Sequence, residues 1–251
     1  MTIDAPRSCH IPALRALWQQ AFGDTEDFLD EFFFTAYSAD RCRCVFMENR
    51  LAAVLYWFNC NWEGKRLAYL YAVATDEAFR GKGLCRALMK NTHAHLQSLG
   101  YEGSILVPGS PELFNLYEKM GYKTCSYIRE FTCAAGAPIS LQRLTAEEYA
   151  VLRRQYLPAG GVVQEQETLR LLHTQASFYA GENCVFVCSP EGGKTAVHEL
   201  LGDGSAAPGI VAALGCTEGK FRTPGNEKPF AMYHSLTNDP AMPLYFGLAL
   251  D

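Results

Sequence analysis

The sequence lacks any apolar run that approaches the length of a membrane-spanning helix. Its first residues, MTIDAPRSCH, do not follow the basic-then-apolar order of a signal peptide. It also lacks an excess of positive charge, since its formal net charge is −5 at pH 7. These absences argue against a membrane partner and against a nucleic-acid partner. We therefore expect a cytoplasmic protein.

The spacings typical of metal sites are also missing. Ten cysteines are scattered along the chain without a CxxC pair, and no two of the six histidines stand at zinc-site spacing. Cys42 and Cys44 lead into a strand, where we expect them on opposite faces, and we expect His93 on a solvated helix face. We interpret the cysteines as small apolar residues kept reduced, and we predict no metal site.

What the chain does contain is enough apolar material for a large core, because 49% of its 251 residues are hydrophobic. Apolar periodicity predicts two helices, three strands, a helix, a strand, a helix and a strand between residues 1 and 133. After the small, uncharged residues 134–138, a similar order begins again. In this second half the pattern includes short strands at residues 139–141 and 244–249. We therefore predict an α+β or α/β fold with two domains, residues 1–134 and 135–251.

The most informative segment joins a predicted strand to a predicted helix. Residues 67–75 are apolar, aromatic and β-branched, as in a buried strand. Arg80-Gly81-Lys82-Gly83 then opens a helix with Leu84 and Leu88 on one face. Unpaired amides at a helix N-terminus, glycines that permit close approach and two cations favour a phosphate site. A Rossmann fingerprint is excluded because position 86 is Arg86 rather than the required third glycine.

The residues from Val73 to Leu84, VATDEAFRGKGL, resemble the acetyl-CoA signature of the GNAT superfamily of N-acetyltransferases. Residues 116–122, LYEKMGY, are similar to the second marker of that superfamily and stand at the expected distance. The resemblance implies a GNAT fold, which is a mixed, mostly antiparallel twisted sheet flanked by helices. The restarted element order implies two tandem GNAT-like domains, similar to the core of the enhanced-intracellular-survival type of acetyltransferase.

The resemblance also implies a site for acetyl-CoA as cosubstrate. The backbone of the strand before the loop would pair with the pantetheine arm, and an amide near Ala72 or Val73 would face the thioester oxygen. The amides at the start of the helix, with the charges of the loop, would hold the pyrophosphate. The chain departs from the family at Cys85, where Gly or Ala is usual, and at Ser110, near a position that is often Asn. The predicted cofactor-binding residues are Val73, Ala74, Thr75, Arg80, Gly81, Lys82, Gly83, Leu84, Cys85 and Arg86.

Tyr117, in the second marker, is the candidate general acid. An amine attacks the thioester directly, and the departing thiolate needs a proton or a strong hydrogen bond, which a phenol can provide. Position alone also fits a core tyrosine beside Leu113, Phe114 and Met120. The general base is unassigned, because the strand at residues 67–75 has no carboxylate.

These residues predict an N-acyltransferase that transfers an acetyl group to a primary amine on a small molecule or a peptide. The alternative is a non-catalytic acyl-CoA-binding sensor or interaction module. The second domain is expected not to bind CoA, since residues 201–209 have no cation and include Asp203. The oligomeric state stays open, a homo-oligomer included. The acidity of the second domain and six aromatic residues suggest a cationic or amine acceptor. The aromatic residues are Trp18, Phe32, Phe33, Tyr37, Trp57 and Trp62.

Overall fold

The computed structural model describes residues 1–164 and 166–250. Glu165 and Asp251, which belong to the predicted second domain, lie outside the described residues. Among the described residues, no helix has both the length and the apolar character needed to cross a membrane. The helices are α1 (Ile11–Phe22), α2 (Glu26–Thr35), α3 (Leu84–Ser98), α4 (Pro111–Glu118), α5 (Ala146–Tyr156), α6 (Glu167–Gln175) and α7 (Ala207–Ala213). The strands are β1 (Thr2–Asp4), β2 (Cys42–Met47), β3 (Arg50–Trp62), β4 (Lys65–Thr75), β5 (Gly103–Leu106), β6 (Lys123–Ala134), β7 (Gln142–Leu144), β8 (Val163–Gln164), β9 (Ser177–Ala180), β10 (Cys184–Glu191), β11 (Lys194–Gly202), β12 (Glu218–Pro224) and β13 (Lys228–Ser235).

Local sequence signals set several helix ends. Gly23 ends α1 in the left-handed region at φ 74°, where a residue without Cβ is favoured. Thr145 and Glu148 form the predicted capping box of α5, since the Glu148 amide donates to Thr145 Oγ1 at 3.2 Å and the Thr145 amide donates to Glu148 Oε2 at 2.8 Å. Ser110 occupies the N-cap of α4 without a capping hydrogen bond from its side chain.

All the strands belong to one mixed sheet in the order β1-β2-β3-β4-β5-β13-β6-β12-β11-β10-β9-β7, with β8 paired to β3. The β4–β5 and β11–β12 pairs are parallel, and the remaining strand pairs are antiparallel. The helices lie against this sheet. The predicted fold class, a mostly antiparallel mixed sheet flanked by helices, is confirmed.

The two halves repeat one connectivity. The first runs β1-α1-α2-β2-β3-β4-α3-β5, and the second runs β7-α5-β8-α6-β9-β10-β11-α7-β12, with the short β8 as an addition. In each half an antiparallel set of strands leads through a helix to a parallel strand, β5 or β12. This order is consistent with two tandem GNAT-like domains.

The last strand of each half pairs with the other half. Strand β13 pairs with β5 through Met232 and Leu106, while β6 pairs with β12 through Glu130 and Arg222. Strands β6 and β13 also pair with each other. The hydrogen-bonded sheet is therefore continuous across the linker at residues 134–138.

Two predicted strands of the second half are wrong, and a strand was missed. The expected strand at residues 139–141 lies instead at Gln142–Leu144, and residues 244–249 form no strand except for a single bridge from Tyr245 to Gly161. Strand β12, Glu218–Pro224, was not predicted. Its sequence, EGKFRTP, has Phe221 as its one large apolar residue, so its alternation is weak.

Residues 244–250 look like a strand because they are apolar, but they run through the core as irregular chain. Side chains satisfy their backbone groups. The Ser126 hydroxyl donates to the Phe246 carbonyl at 2.9 Å and accepts from the Phe246 amide at 3.0 Å. Gln164 Nε2 donates to the Leu248 carbonyl at 2.6 Å. The burial of Phe246 and Leu248 therefore leaves these backbone groups with partners.

A partly buried polar cluster joins α3, β5 and β13. The hydroxyl of Tyr122 lies 2.8 Å from His93 Nε2 and 2.7 Å from Ser104 Oγ, and the His93 ring stacks on His234 at 4.3 Å. Burial, followed by the neighbouring His234, lowers the pKa of His93 to about 3. The expectation that His93 lies on a solvated face is therefore wrong.

The sheet separates two apolar clusters that meet near the candidate site. One lies with α1 and α2 and includes Trp18 and Phe32, and the other lies with α3 and α4 and includes Leu88 and Tyr117.

Cys42 and Cys44 belong to the first cluster with their sulfurs 3.9 Å apart. The two cysteines thus share a face, because residues two apart in a strand point the same way.

Candidate active site

Strand β4 contains a bulge at Ala72. Tyr71 pairs with Tyr56 and Ala74 pairs with Val54, so Ala72 and Val73 together oppose Leu55. Ala72 adopts φ 48°, a left-handed conformation that costs an alanine about 1 kcal/mol. Such a bulge bends its strand and removes backbone groups from the regular ladder.

Beside the bulge, β4 and β5 separate. Their parallel pairing covers only Leu67 to Tyr69 on β4, and no strand pairs with the β5-facing edge of residues 70–75 in the described part of the chain. The sheet therefore opens into a gap between β4 and the chain that follows β5.

A cavity of about 1130 Å³ occupies this gap and reaches both faces of the sheet. On the α4 side it meets Phe114 and Tyr117, and on the other side it meets Trp18 and Phe28. The second half contributes residues of α6, β12, β13 and the C-terminal segment. These are Leu171, Leu172, Gln175, Arg222, Lys228, Pro229, Phe230, Ala249 and Leu250.

Tyr117 lies on α4 with its ring 7% exposed and its side chain on the cavity wall. It packs edge-on against Tyr122 at 5.8 Å, and its hydroxyl has no hydrogen-bond partner among the described residues. Burial, with a smaller effect from Cys85, raises the pKa of Tyr117 well above its usual value. The phenol is therefore protonated at neutral pH.

The loop Arg80–Gly83 lies on the surface before α3 and does not line the cavity. Gly81 and Gly83 have φ 75° and 73°, and a Cβ at either position would meet no atom within 4 Å. The two glycines are thus required by backbone conformation and leave the outer side of the loop open. A phosphate group could reach the first amides of α3 from that side.

The two loop cations are held close to the loop. Arg80 Nε donates to the Thr75 carbonyl at 3.2 Å, and Lys82 Nζ donates to the Ala78 carbonyl at 3.2 Å. Arg80 also pairs with Glu77 at 3.3 Å. Both cations therefore raise the local potential near the helix N-terminus while their side chains stay solvated.

The other predicted site residues differ in their placement. Val73 lines the cavity, whereas Ala74 is buried in the apolar cluster of α1 and α2. Leu84 is buried and Cys85 is half-buried, both within the cluster of α3 and α4. Burial raises the pKa of the Cys85 thiol. Cys85 therefore packs inward beside Tyr117.

Sequence reasoning missed the lining residues from the α1–α2 link and from the second half. Asp24, in that link, accepts a hydrogen bond from Trp18 Nε1 at 2.7 Å. Of the aromatics expected near an acceptor, only Trp18 lines the cavity, and the described side chains of the others lie elsewhere. Nothing in the local pattern marks Arg222 or Lys228, because they reach the site only through the exchanged pairing of β6 and β13.

The carboxylates that line the cavity are Asp24 and Glu118. Asp24 is engaged by Trp18, and Glu118 is exposed at the end of α4. Neither residue is on β4, in line with the absence of a carboxylate from the strand beside the gap. Within the described residues, no group of three or more His, Cys, Asp or Glu side chains is placed to hold a metal ion.

Comparison with known proteins identifies the family that the first half of the chain matches. Residues 2–125 match the family of the acetyltransferase (GNAT) domain. No curated protein matches the chain significantly. The chain therefore carries a GNAT acetyltransferase domain, and its general class of activity is acyl transfer.

Solved structures with the same fold extend over both halves. A GCN5-related N-acetyltransferase from Anabaena variabilis has TM-score 0.70 at 13% identity, with 94% of this chain and 73% of that chain covered. Eis1 from Mycobacterium abscessus has TM-score 0.69 at 12% identity, with coverage of 94% and 74%. A putative acetyltransferase from Pyrococcus horikoshii has TM-score 0.63 at 15% identity, with coverage of 98% and 93%. The fold of this chain, over both halves, is thus shared with these solved structures.

Proposed function

We propose that the protein is an acetyl-CoA-dependent N-acetyltransferase that acts on a primary amine. The observation that carries this proposal is the cavity in the gap between β4 and β5, with the Ala72 bulge on one wall and the Tyr117 hydroxyl on another. Residues from both faces of the sheet line the cavity, which suits a donor and an acceptor that approach from different sides. Acetyl-CoA supplies the activated thioester.

The residues beside the gap fit this cosubstrate. The β5-facing edge of Val73, Ala74 and Thr75 has no strand partner among the described residues, which suits pairing with the amides of a pantetheine arm. The amides from Gly81 to Arg86 stand at the start of α3, where a pyrophosphate is favoured. The backbone near Ala72 and Val73 would hold the acetyl oxygen.

Tyr117 would donate a hydrogen bond, and then a proton, to the sulfur that leaves when the amine attacks. Its raised pKa keeps the O–H group intact until that step. No base is assigned beside β4, so the amine is expected to arrive neutral and, once it has attacked, to give a proton to water, while water returns a proton to the Tyr117 phenolate.

The second half is proposed not to bind CoA. In the loop that corresponds to Arg80–Gly83, the Asp203 carboxylate accepts a hydrogen bond from the Ser205 amide at 2.9 Å. This carboxylate takes the place that an anion would need, and it repels phosphate. Helix α7, which follows, has only 7 residues.

The test combines binding and turnover. Acetyl-CoA is offered with a panel of amines while free thiol is followed, and CoA affinity is measured by calorimetry. Thiol release that requires the amine is expected. CoA binding without amine-dependent release would favour the acyl-CoA-binding sensor, and absence of CoA binding would refute both functions.

A matched pair of glycine variants locates the CoA site. Gly83→Ala is expected to weaken CoA binding by about tenfold or more, because a side chain at φ 73° strains the loop and crowds the phosphate. Gly192→Ala is the control, since Gly192 also has positive φ and open space but lies in the β10–β11 turn. Equal CoA affinity of both variants would contradict the assignment.

A further inference from the structure

The cavity has an uneven distribution of charge. Its charged lining residues are Asp24 and Glu118 from the first half, and Arg222 and Lys228 from the second. Arg222 is on β12 and Lys228 begins β13, and both lie near the Glu130 carboxylate, so the two cations stand together on the wall that the second half supplies. The charged side chains that the second half contributes to the lining, among the described residues, are both positive.

Arg222 is held in place by two neighbours. Its guanidinium carbon lies 4.6 Å from the centroid of the Phe230 ring, and its Nε lies 3.7 Å from the Glu130 carboxylate. Phe230 lines the same cavity. The Arg222 side chain is 16% exposed, so an anion that meets it is largely shielded from water. A planar guanidinium fixed in this way suits a carboxylate, which it can bind with two parallel hydrogen bonds.

The charges around Arg222 do not cancel. Glu130 faces three cations, because Lys228 Nζ lies 2.7 Å and Lys220 Nζ 4.0 Å from its carboxylate in addition to Arg222. Glu130 and Glu191 line a separate cavity of about 190 Å³ and not the large one, whereas Arg222 lines both. The cluster therefore presents net positive charge to the large cavity.

Apolar side chains line the same cavity. They come from Leu171 and Leu172 on α6, from Phe28 on α2 and from Phe230, which contacts Arg222. A molecule that fills the cavity and reaches Arg222 must place uncharged, apolar atoms against these side chains. The cavity thus combines the bulge of β4, apolar walls and two cations.

We propose that the amine acceptor also carries an apolar body and a carboxylate, and that Arg222 and Lys228 bind this carboxylate. The inference rests on the proposed acetyl transfer, because that reaction places the acceptor amine beside β4. Arg222 and Lys228 act on specificity and take no part in the chemical step.

The first test compares acceptors in turnover. Amino carboxylates of increasing chain length are each paired with the corresponding carboxamide, and thiol release from acetyl-CoA is followed. For the best length, kcat/KM is expected to be at least about tenfold higher for the carboxylate than for the carboxamide. Arg222→Gln and Lys228→Gln should each reduce this preference by raising KM for the carboxylate, with kcat little changed and the carboxamide unaffected.

The control is Arg129→Gln. Arg129 is on neighbouring β6, pairs with Glu227 at 3.4 Å and does not line the cavity. The Arg129→Gln variant should keep the full preference for the carboxylate over the carboxamide. A preference for carboxamides, or an equal loss in the Arg129 and Arg222 variants, would overturn the inference.

The second test needs no turnover. An apolar carboxylate without an amine, and its carboxamide, are titrated by calorimetry into protein saturated with CoA. Tighter binding of the carboxylate is expected, with the difference lost in Arg222→Gln and kept in Arg129→Gln. Equal binding would refute the carboxylate site even if amines release thiol. A carboxylate preference without thiol release from any amine would refute the acetyl transfer and leave the site.

Discussion

The hydroxyl of Tyr117 is a polar group at the edge of an apolar cluster. Its ring packs with Tyr122 and the neighbours of α3 and α4, as a core tyrosine would. Tyr117 lines the cavity, and its oxygen has no partner in the described part of the chain. This oxygen is not among the buried polar atoms that lack a partner, so solvent can reach it. Packing alone therefore accounts for the ring, and a role for the hydroxyl has to be tested.

Replacement of Tyr117 by Phe is expected to lower kcat for acetyl transfer by about 10²-fold or more, since a general acid contributes on that scale. CoA affinity should change by less than about threefold, because the ring and its packing remain. Stopped-flow thiol release and calorimetry measure the two quantities.

Tyr179→Phe is the control for the loss of a phenol hydroxyl, since Tyr179 is on β9 in the second half and does not line the cavity. Turnover of the Tyr117 variant equal to that of the control at saturating substrate would remove Tyr117 from the mechanism.

Single residues differ in how far the sequence could predict them. Gly81 and Gly83 could be predicted, because a positive φ before a helix leaves a direct mark in residue type. Ala72 could not, since an alanine in an apolar strand gives no sign of a left-handed bulge. Arg222 and Lys228 could not either, because their position depends on which strands pair.

Among the elements, α3 is fixed to β5 and β13 by the cluster of His93, Ser104, Tyr122 and His234. Because burial depresses the pKa of His93 to about 3, the unfolded chain binds a proton at this site between about pH 6.5 and pH 3 that the folded chain does not. The folded state is therefore stabilised less as the pH falls through this window. The stabilisation that depends on unprotonated His93 is complete above about pH 6.5.

The free energy of unfolding is expected to fall by about 2 kcal/mol between pH 7 and pH 5 through His93 alone. Urea denaturation at both pH values measures the change. His93→Gln keeps a polar group beside Tyr122 but does not titrate. The free energy of unfolding of this variant should therefore fall by about 2 kcal/mol less over the same interval. His95, whose pKa is also lowered, is present in both proteins and cancels. Equal losses would show that His93 does not carry the effect.

Elements built on strong local signals were predicted well. The capping box of α5 and the glycine that ends α1 fixed their helices, and the apolar pattern located β2 to β6. The predictions for residues 244–249 and for β12 failed for opposite reasons. Residues 244–249 are apolar because they cross the core between the halves, and β12 is polar because its partners β6 and β11 supply the sheet around it.

At the scale of the whole molecule, the halves repeat one connectivity but share one sheet. We propose residues 1–134 and 135–251 as two structural repeats. Their last strands are exchanged, so each repeat completes its sheet with a strand of the other. The cavity depends on this exchange, because β13 supplies Lys228 and Phe230.

A fragment of residues 1–134 is expected to lack a cooperative unfolding transition, since β5 and β6 would both lose their pairing with β13. Urea denaturation followed by near-ultraviolet circular dichroism tests this. Addition of a separate 135–251 fragment should restore the transition. Cooperative unfolding of residues 1–134 alone, at the midpoint of the full chain, would show that the first repeat is independent.

The exchange of β6 and β13 also sets an order of events during synthesis on the ribosome. The edge of β5 is made early, but its partner β13 emerges roughly 120 residues later. At about 5–20 residues per second, this edge waits about 6–25 s for its partner. Over that interval the nascent chain exposes the edge of β5 that later pairs with β13, on the side of β5 away from the gap. This edge is thus open to chaperones and to mispairing while the second half is made.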